Sequence, residues 1–518
     1  MTAAATAPDP RTGALLTRAP AVPDKGLRSG ALGLVASTVM GIASTAPAYS
    51  LAATLGYLVA TVGVHAPGVL LLAFVPMLCI AVAYQQLNAR EPDCGTTFTW
   101  AAKAFGRPAG PAIGWMGGWG IIAADIIVMA NLGQVAGQYG FQLFDLHSLA
   151  ASTLWTTVAG CAWIAAMTAL CYLGIEISSR VQLVMLAIEV GVLLAFAVAA
   201  LVEVYSGHGT PGSTHPSASW LAPTHLGGFS GLSVGLLLAV FIYWGWDTSV
   251  SCNEETADAS RTPGRAAVLS TLLLLGTYLL VTVAAQSYAG TGSTGLGLDN
   301  SDNSSDVLSV LGNAVLGSAL GKLLVLMVLT SAAASTLTSI LPTARTTLAM
   351  AAYGALPRAF ARVSPRTLAP TVSTVVMGVV CIVFYIGAVL AGADLYQDAI
   401  GSIGLLIAFY YGLTGFTAAW ALRHEVRSAR DALLKVAVPL AGGLMLLALF
   451  GYGVKEYAAQ PSDTATVGSY TTLAGVGAAA VIGVGSLLLG LVLMAAWAAW
   501  SPSYFRGRSF APDDVSTV

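Results

Sequence analysis

The chain has 518 residues, of which 56% are hydrophobic and 9% are charged, and its formal net charge at pH 7 is −2. Soluble globular domains carry about 25% charged residues, so this composition excludes a soluble protein and indicates an integral membrane protein. The six cysteines form no CxxC pair, and we expect no metal site, no cofactor and no nucleic-acid partner.

Membrane-spanning helices need roughly 20 mostly apolar residues. On that basis the predicted fold class is an all-α integral membrane protein with twelve transmembrane helices, in contact with membrane lipid. Residues 1–30 lack the features of a signal peptide and predict a disordered cytoplasmic tail, and 500–518 predict a second cytoplasmic tail. The predicted spans are 31–60, 66–89, 109–141, 150–173, 178–205, 229–255, 265–290, 319–350, 370–392, 398–422, 433–454 and 467–499.

The basic residues predict the orientation, because cytoplasmic loops carry an excess of Lys and Arg. With the N-terminus inside, all of the 22 basic residues except Lys322 and Lys455 fall on the cytoplasmic side. This pattern predicts a multi-pass protein of the cytoplasmic membrane with both termini in the cytoplasm. Asp394 and Asp398, at the outer end of the tenth span, are expected to be in water.

The first span contains a proline in its middle. Pro47 cannot donate a backbone hydrogen bond and crowds the preceding turn. Backbone groups freed at this depth survive only where they line a cavity or bind a ligand. A simple kink in a packing helix is the alternative interpretation. The residues predicted to bind a solute here are Ala43, Ser44, Thr45 and Ala46.

The sixth span has a second predicted break, at Gly245, which permits unwinding. Asp247 follows it, and its carboxylate either contacts the solute or caps the free N–H groups of the next half-helix. Tyr243 and Trp244 flank the break, where their rings would cover the solute or offer a cation–π face. All four residues are therefore candidate solute ligands.

The two predicted breaks lie five spans apart. This is the spacing of a five-helix inverted repeat, in which two discontinuous helices meet at the substrate site. We therefore predict a 5+5 inverted-repeat core in residues 31–422, followed by two further helices in 433–499. The repeat rests on helix number and break position, because no similarity between the two halves is visible by eye.

Three segments resemble the amino acid–polyamine–organocation (APC) superfamily of permeases. Glu91–Trp100 resembles the Pro/Gly/aromatic loop of that superfamily, and Gly245–Asp247 with Glu254–Glu255 resembles its glycine-x-acid break and acidic pair. The stretch Arg345–Pro370 follows a third family pattern. The resemblance covers roughly residues 30–430 and implies a leucine-transporter-like core that carries amino acids or amines.

Two positions depart from the family pattern. Ile42–Ser44 stands where a Gly-Ser-Gly-like break is common, which leaves less room beside a substrate carboxylate. In several members a lysine lies nine residues after the arginine that corresponds to Arg180, and its ammonium takes the place of a structural sodium ion. This sequence has Glu189 there.

The role of Glu189 has three open interpretations. Desolvation at mid-membrane depth would poise its carboxyl to accept a proton, which makes it a candidate proton-coupling group. Alternatively, Ala332, Ser335 and Thr336 resemble a sodium-ligand pattern, and Glu189 would strengthen sodium binding. In the third interpretation Glu189 stays protonated and only bonds neighbouring helices. The coupling ion is therefore H⁺ or Na⁺, or the residue is structural.

Asp125, in the third span, has apolar helical neighbours and needs a partner, since a charge at the bilayer centre costs about 2.5–3.5 kcal/mol. The partner is either an ammonium group of the substrate or a hydroxyl such as that of Tyr243 or Thr45. Together with Asp247, Asp125 favours a cationic amino acid or an amine as the substrate.

These patterns favour a secondary active transporter, a permease for amino acids that works by alternating access with proton or sodium coupling. A polyamine or small-amine transporter or exchanger is the alternative. No catalytic constellation lies at membrane depth, so we do not expect an enzyme. A channel would be expected to show a repeated filter segment, and none is visible in the sequence. The loops and tails are too short for a sensor or scaffold domain.

Overall fold

The computed structural model describes residues 24–222, 228–303, 307–459 and 469–507. This part of the chain is almost entirely helical and includes one short hairpin, β1 (Thr472–Leu473) with β2 (Val476–Gly477). The main helices, together with the four-residue helices α9 and α16, are α1 (Leu34–Thr45), α2 (Pro47–Val62), α3 (Ala66–Arg90), α4 (Thr97–Ala104), α5 (Ala109–Leu143), α6 (Thr153–Tyr172), α7 (Ile175–Tyr205), α8 (Gly228–Tyr243), α9 (Thr248–Ser251), α10 (Thr262–Ala289), α11 (Val307–Ala352), α12 (Thr371–Ala391), α13 (Ala393–Leu422), α14 (Val438–Ala458), α15 (Ala478–Trp500) and α16 (Pro502–Phe505).

Ten apolar stretches within the described residues are long enough to cross a membrane. The first of them, Leu34–Arg90, contains α1, α2 and α3, and the apolar helix Gly231–Tyr243 is shorter than the others. The chain is therefore a multi-pass membrane protein, as its composition predicts.

The first span is broken where the sequence predicts. α1 ends at Thr45 because Ala46 adopts a left-handed conformation with φ 45°, and Pro47 then begins α2. Proline suits the first position of a helix, since its missing N–H would have no partner there. The break therefore produces two half-helices with a free helix end in the middle of the bundle.

Burial separates central from peripheral helices. In the most apolar part of Leu320–Ala352, the main part of α11, 83% of residues are buried, against 28% in α6 and in α12. The peripheral helices carry exposed apolar side chains such as Leu390, which is 82% exposed and suits a lipid-facing surface. α11 packs against α5, α7 and both halves of the first span, so it lies next to the break.

The two ends of the bundle differ in what they hold. The end where α1 begins and α15 ends, here called the terminal face, also holds α4 and the segment that follows α9. The opposite end, here called the far face, holds the β1–β2 hairpin and the ion pair of Lys322 with Asp145.

Candidate solute site between two broken helices

The structure brings the two helix breaks into direct contact. α8 ends at Tyr243 and α9 begins at Thr248, and the hydroxyls of Ser44 and Thr248 lie 2.8 Å apart. Gly245 between them has φ +121°, and a Cβ there would lie 2.7 Å from the Ser44 carbonyl oxygen. Only glycine combines this backbone conformation with such close approach. The breaks in the first and sixth spans thus form one junction, here called the break junction (residues 43–48 and 243–248).

Side-chain hydroxyls satisfy carbonyls that the first break exposes. Ser335 donates to the Ser44 carbonyl at 3.0 Å, and Ser50 donates to the Thr45 carbonyl at 2.6 Å. The Thr45 hydroxyl itself donates to Ile42 at 2.7 Å. Buried carbonyls need such partners in a membrane. Because hydroxyls can rotate, the same carbonyls are available to a ligand that displaces them.

Asp247 is buried and bonded to phenols. Tyr411 donates to its Oδ1 at 2.8 Å, and Tyr410 donates to its Oδ2 at 3.3 Å. The indole N–H of Trp244 also donates to the Tyr410 hydroxyl. The side chain makes no capping hydrogen bond to α9, although the residue stands at the N-cap position. The helix-capping interpretation of Asp247 is therefore wrong, and tyrosines of α13 hold the carboxylate instead.

Asp125 is also buried, and its partner differs from those expected. The hydroxyl of Thr343 on α11 donates to its Oδ2 at 2.5 Å, whereas Tyr243 and Thr45 do not. Asp125 and Asp247 line the same small cavity at the break junction, of about 10 Å³. A volume of this size holds about one water molecule. Two acidic side chains thus line one small pocket, which in this conformation has no room for a solute.

A much larger cavity opens toward the far face. It has a volume of about 330 Å³, within the range of small-molecule sites, and its lining carries phenols and amides but no charged side chain among the described residues. Tyr49 and Phe241, at the inner ends of α2 and α8, bring it to the break junction. We call it the vestibule. Its lining also includes Tyr57, Asn131, Gln134, Gln138, Tyr139, Tyr396, Gln397, Tyr457 and Tyr470.

A polar layer crosses the vestibule just beyond the break. The Tyr49 hydroxyl donates to the side-chain carbonyl of Asn131, whose amide donates to the Tyr396 hydroxyl at 3.4 Å. Tyr243, by contrast, packs behind the break against Phe74 and Tyr278, and lines neither cavity. The predicted solute ligand Tyr243 therefore belongs to the core in this conformation.

Glu189 lies at the free N-terminal end of α2. Its Oε1 accepts the Ala48 backbone N–H at 2.8 Å and the Ser331 hydroxyl at 2.7 Å. Its Oε2 is buried and has no hydrogen-bond partner among the described residues. A negative charge at a helix N-terminus is favourable, because the N–H groups and the helix dipole point toward it. Glu189, a residue of α7, thus links α2, the second half-helix of the first span, to α7 and α11.

The three residues of the predicted sodium pattern separate into two groups. Ser335 points to the break and bonds the Ser44 carbonyl, while Thr336 donates to the Ala332 carbonyl of its own helix at 2.7 Å. All three are buried. The pattern therefore lies beside the first break, and within it the Thr336 hydroxyl is hydrogen-bonded to the Ala332 carbonyl.

An ionic cluster closes the terminal face. The buried Lys25 ammonium lies 3.2 Å from Asp93 Oδ2 and 2.6 Å from Glu254 Oε1, and Tyr353 donates to Asp93 at 2.7 Å. Burial alone would raise the pKa of the Asp93 carboxyl, but the nearby Lys25 charge holds it below its ordinary value. Lys25 lies in the predicted N-terminal tail, and it links that segment to the loops after α3 and α9.

A second buried ion pair supports this closure. Arg345 on α11 donates to Glu255 at 2.5 Å, and both side chains are almost fully buried. The Asp93, Cys94 and Glu254 ligand atoms next to it converge within 4.8 Å of one another, and the Lys25 ammonium supplies the cation for that cluster. The terminal face is thus held by two buried sets of ion pairs, whereas the vestibule opens toward the far face.

Comparisons with known proteins agree with this architecture. The amino acid permease family model matches residues 31–479. The chain belongs to the amino acid permease family, within the APC superfamily. It is 26% identical over 370 residues to the branched-chain amino acid permease BcaP of Lactococcus lactis, covering 67% of this chain and 74% of BcaP. It is 24% identical over 424 residues to the low-affinity putrescine importer PlaP of Escherichia coli, covering 81% of this chain and 87% of PlaP.

The fold is similar to that of MhsT, whose crystal structure was solved with L-phenylalanine. The TM-score is 0.55 at 15% sequence identity, and the match covers 80% of this chain and 98% of MhsT. At this identity the likeness concerns the fold alone.

Sequence reasoning missed several residues at the centre of the site. Tyr410 and Tyr411 bond Asp247, and Tyr49, Asn131 and Tyr396 form the polar layer of the vestibule. All of them are neutral, so a search for ionisable groups in the membrane passed over them. An asparagine within the third span is the one signal that would have identified part of this set.

Proposed function

We propose that this permease is a secondary active transporter that carries amino acids by alternating access. One observation supports the proposal: the vestibule reaches Tyr49 and Phe241 beside the break junction, while the buried Lys25 cluster lies at the opposite, terminal face. A carrier needs a central site that is open to one side at a time. A conformational change that breaks the ionic cluster and closes the vestibule would deliver the solute to the other face.

We further propose the twelve-span arrangement with a 5+5 inverted repeat. Leu34–Arg90 then supplies two spans, and α8 with α9 forms the broken sixth span. The terminal face is proposed to be cytoplasmic, in the cytoplasmic membrane, because Lys25, Arg90, Lys103, Arg107 and Arg345 all bond partners on that face. The excess of Lys and Arg in cytoplasmic loops supports this orientation.

Proton coupling through Glu189 is the coupling mechanism we favour. Protonation would remove the charge that accepts the Ala48 N–H, and so would weaken the link between α2 and the helices α7 and α11. The unpartnered Oε2 gives the proton an oxygen to bind. Sodium coupling is the alternative, with the hydroxyls of Ser335 and Thr336 and the Ala332 carbonyl as the oxygens for the ion.

Amino acids are the proposed substrates, with a preference for cationic ones. Asp125 and Asp247 face one cavity that no basic side chain lines, so an ammonium or guanidinium group would compensate their charges. A small-amine transporter is the second candidate. It is favoured by this same pair of acids and by the similarity to a putrescine importer.

The proposal is tested by uptake into proteoliposomes that contain the purified protein. Radiolabelled L-leucine, L-lysine and putrescine are offered separately, each with an imposed pH gradient, an imposed sodium gradient or neither. We expect accumulation of an amino acid above equilibrium with the pH gradient and competition by L-lysine. Uptake of no amino acid would refute amino acid transport, and uptake of putrescine alone would favour the second candidate.

A further inference from the structure

The buried carboxylate of Asp398 holds a loop at the far face. Asp398 lies near the start of α13 and is 1% exposed, although the sequence places it in water. Its Oδ1 accepts the backbone N–H of Tyr470 at 2.7 Å, and its Oδ2 accepts that of Thr471 at 2.9 Å. Hydrogen bonds to a charged acceptor are among the stronger ones in proteins. The expectation of a solvated Asp398 is therefore wrong.

The segment that Asp398 binds is an ordered strap between α14 and α15, here defined as residues 469–477. Ser469 donates to the Tyr457 carbonyl at 2.7 Å and accepts the Ala479 N–H at 3.0 Å. The β1–β2 hairpin follows directly, with Thr472 paired to Gly477. These bonds fix the start of the strap to both of the last two helices, while Asp398 fixes the next two residues to α13.

The strap places one aromatic side chain at the mouth of the vestibule. Tyr470 lines the vestibule and is 52% exposed, and Tyr57 on α2 lines the same cavity. α2 is the half-helix that begins at the break junction. The strap therefore extends from α13 to the vestibule mouth, which it shares with a helix that the proposed transport cycle moves.

We propose that Tyr470 is a solute-entry residue and that Asp398 is the positioning residue that holds it over the vestibule. The last two helices then serve transport directly, by supplying the strap. The occupant is the amino acid or amine of the proposed function, on which this inference rests. A phenol at the mouth provides a ring face for an ammonium group and a hydroxyl that can donate or accept a hydrogen bond.

The first test measures access to the vestibule without any substrate. Gln138, which lines the vestibule, is changed to Cys, and its reaction with a bulky membrane-impermeant maleimide is timed in proteoliposomes. Parallel labelling of the parent chain corrects for its native cysteines. Asp398→Asn, whose amide nitrogen cannot accept an N–H, and Tyr470→Ala are each expected to raise the labelling rate about tenfold. Leu473→Ala, an exposed hairpin position, is the matched control and should leave the rate unchanged.

The second test measures transport kinetics with the probe that wild type carries best among L-leucine, L-lysine and putrescine. Tyr470→Phe keeps the ring and removes the hydroxyl, so we expect a KM raised several-fold with little change in kcat. Asp398→Asn should raise KM in the same way, while Leu473→Ala should not. Labelling and KM that stay equal to the control in all Asp398 and Tyr470 variants would overturn the inference. A wild-type protein that carries none of the probes would refute the proposed function alone, because the labelling test still decides the role of the strap.

Discussion

Substitution of Glu189 by Gln separates coupling from solute movement. Glutamine keeps an oxygen that can accept from Ala48 and Ser331 but carries no charge, so it resembles the protonated carboxyl. A hydrogen bond to a charged group contributes about 1.5–3 kcal/mol and a neutral one about 0.5–1.5 kcal/mol. Two bonds that each lose about 1–1.5 kcal/mol weaken the hold on α2 by about 2–3 kcal/mol in total. That change shifts an equilibrium between two conformations roughly 30- to 160-fold.

The assay compares two modes of transport in the same proteoliposomes. Counterflow exchange needs only movement of the loaded carrier, whereas accumulation against a gradient needs the coupling ion. We expect Glu189→Gln to retain exchange and to lose accumulation driven by a pH gradient. Glu176→Gln, on the same helix but 39% exposed at its side chain, is the control and should behave as wild type. A Glu189→Gln protein that still accumulates solute with the pH gradient would refute the coupling role.

Three further substitutions test other parts of the site. Gly245→Ala places a Cβ 2.7 Å from the Ser44 carbonyl at φ +121°, a backbone strain of about 1–3 kcal/mol before the clash is counted, and should abolish uptake while protein still reaches the membrane. Lys25→Met leaves two carboxylates without their cation, which costs about 3–5 kcal/mol for a buried pair, and should speed cysteine labelling from the terminal face. Asp125→Asn should reduce competition by L-lysine more than competition by L-leucine, and equal effects on both would remove the argument for a cationic preference.

The sequence predicted the elements whose physical cause is local. Pro47 predicted the first break because proline lacks a backbone N–H and crowds the preceding turn, and Gly245 marks the second break because only glycine adopts its conformation easily. Their separation by five spans predicted that they meet, and the Ser44–Thr248 contact shows that they do. These inferences needed only the periodicity of apolar residues and the chemistry of two residue types.

The sequence did not predict the partners of the buried acids, because these partners come from distant parts of the chain. Asp247 was expected either to contact the solute or to cap its own helix, but tyrosines more than 160 positions later bond it. Asp398 was expected in water because it lies near a helix end, yet the loop that follows α14 folds over it. Tertiary packing determines such contacts, and the pattern of charge and hydropathy along the chain does not predict which distant residues will meet.

The buried carboxylates in the described part of the chain differ in how completely their oxygens are bonded. Glu255 and Glu189 each have one oxygen without a hydrogen-bond partner, but the other oxygen of Glu255 is paired with the charged Arg345. Both oxygens of Asp398 accept backbone N–H groups, and both oxygens of Asp247 accept phenol hydroxyls. In Glu189 one oxygen accepts two bonds while Oε2 accepts none. A buried, unpartnered carboxylate oxygen is costly, and binding of a proton or cation relieves that cost. Because Glu189 also holds the end of α2 through the Ala48 N–H, the proposed coupling role rests on this incomplete bonding together with that contact.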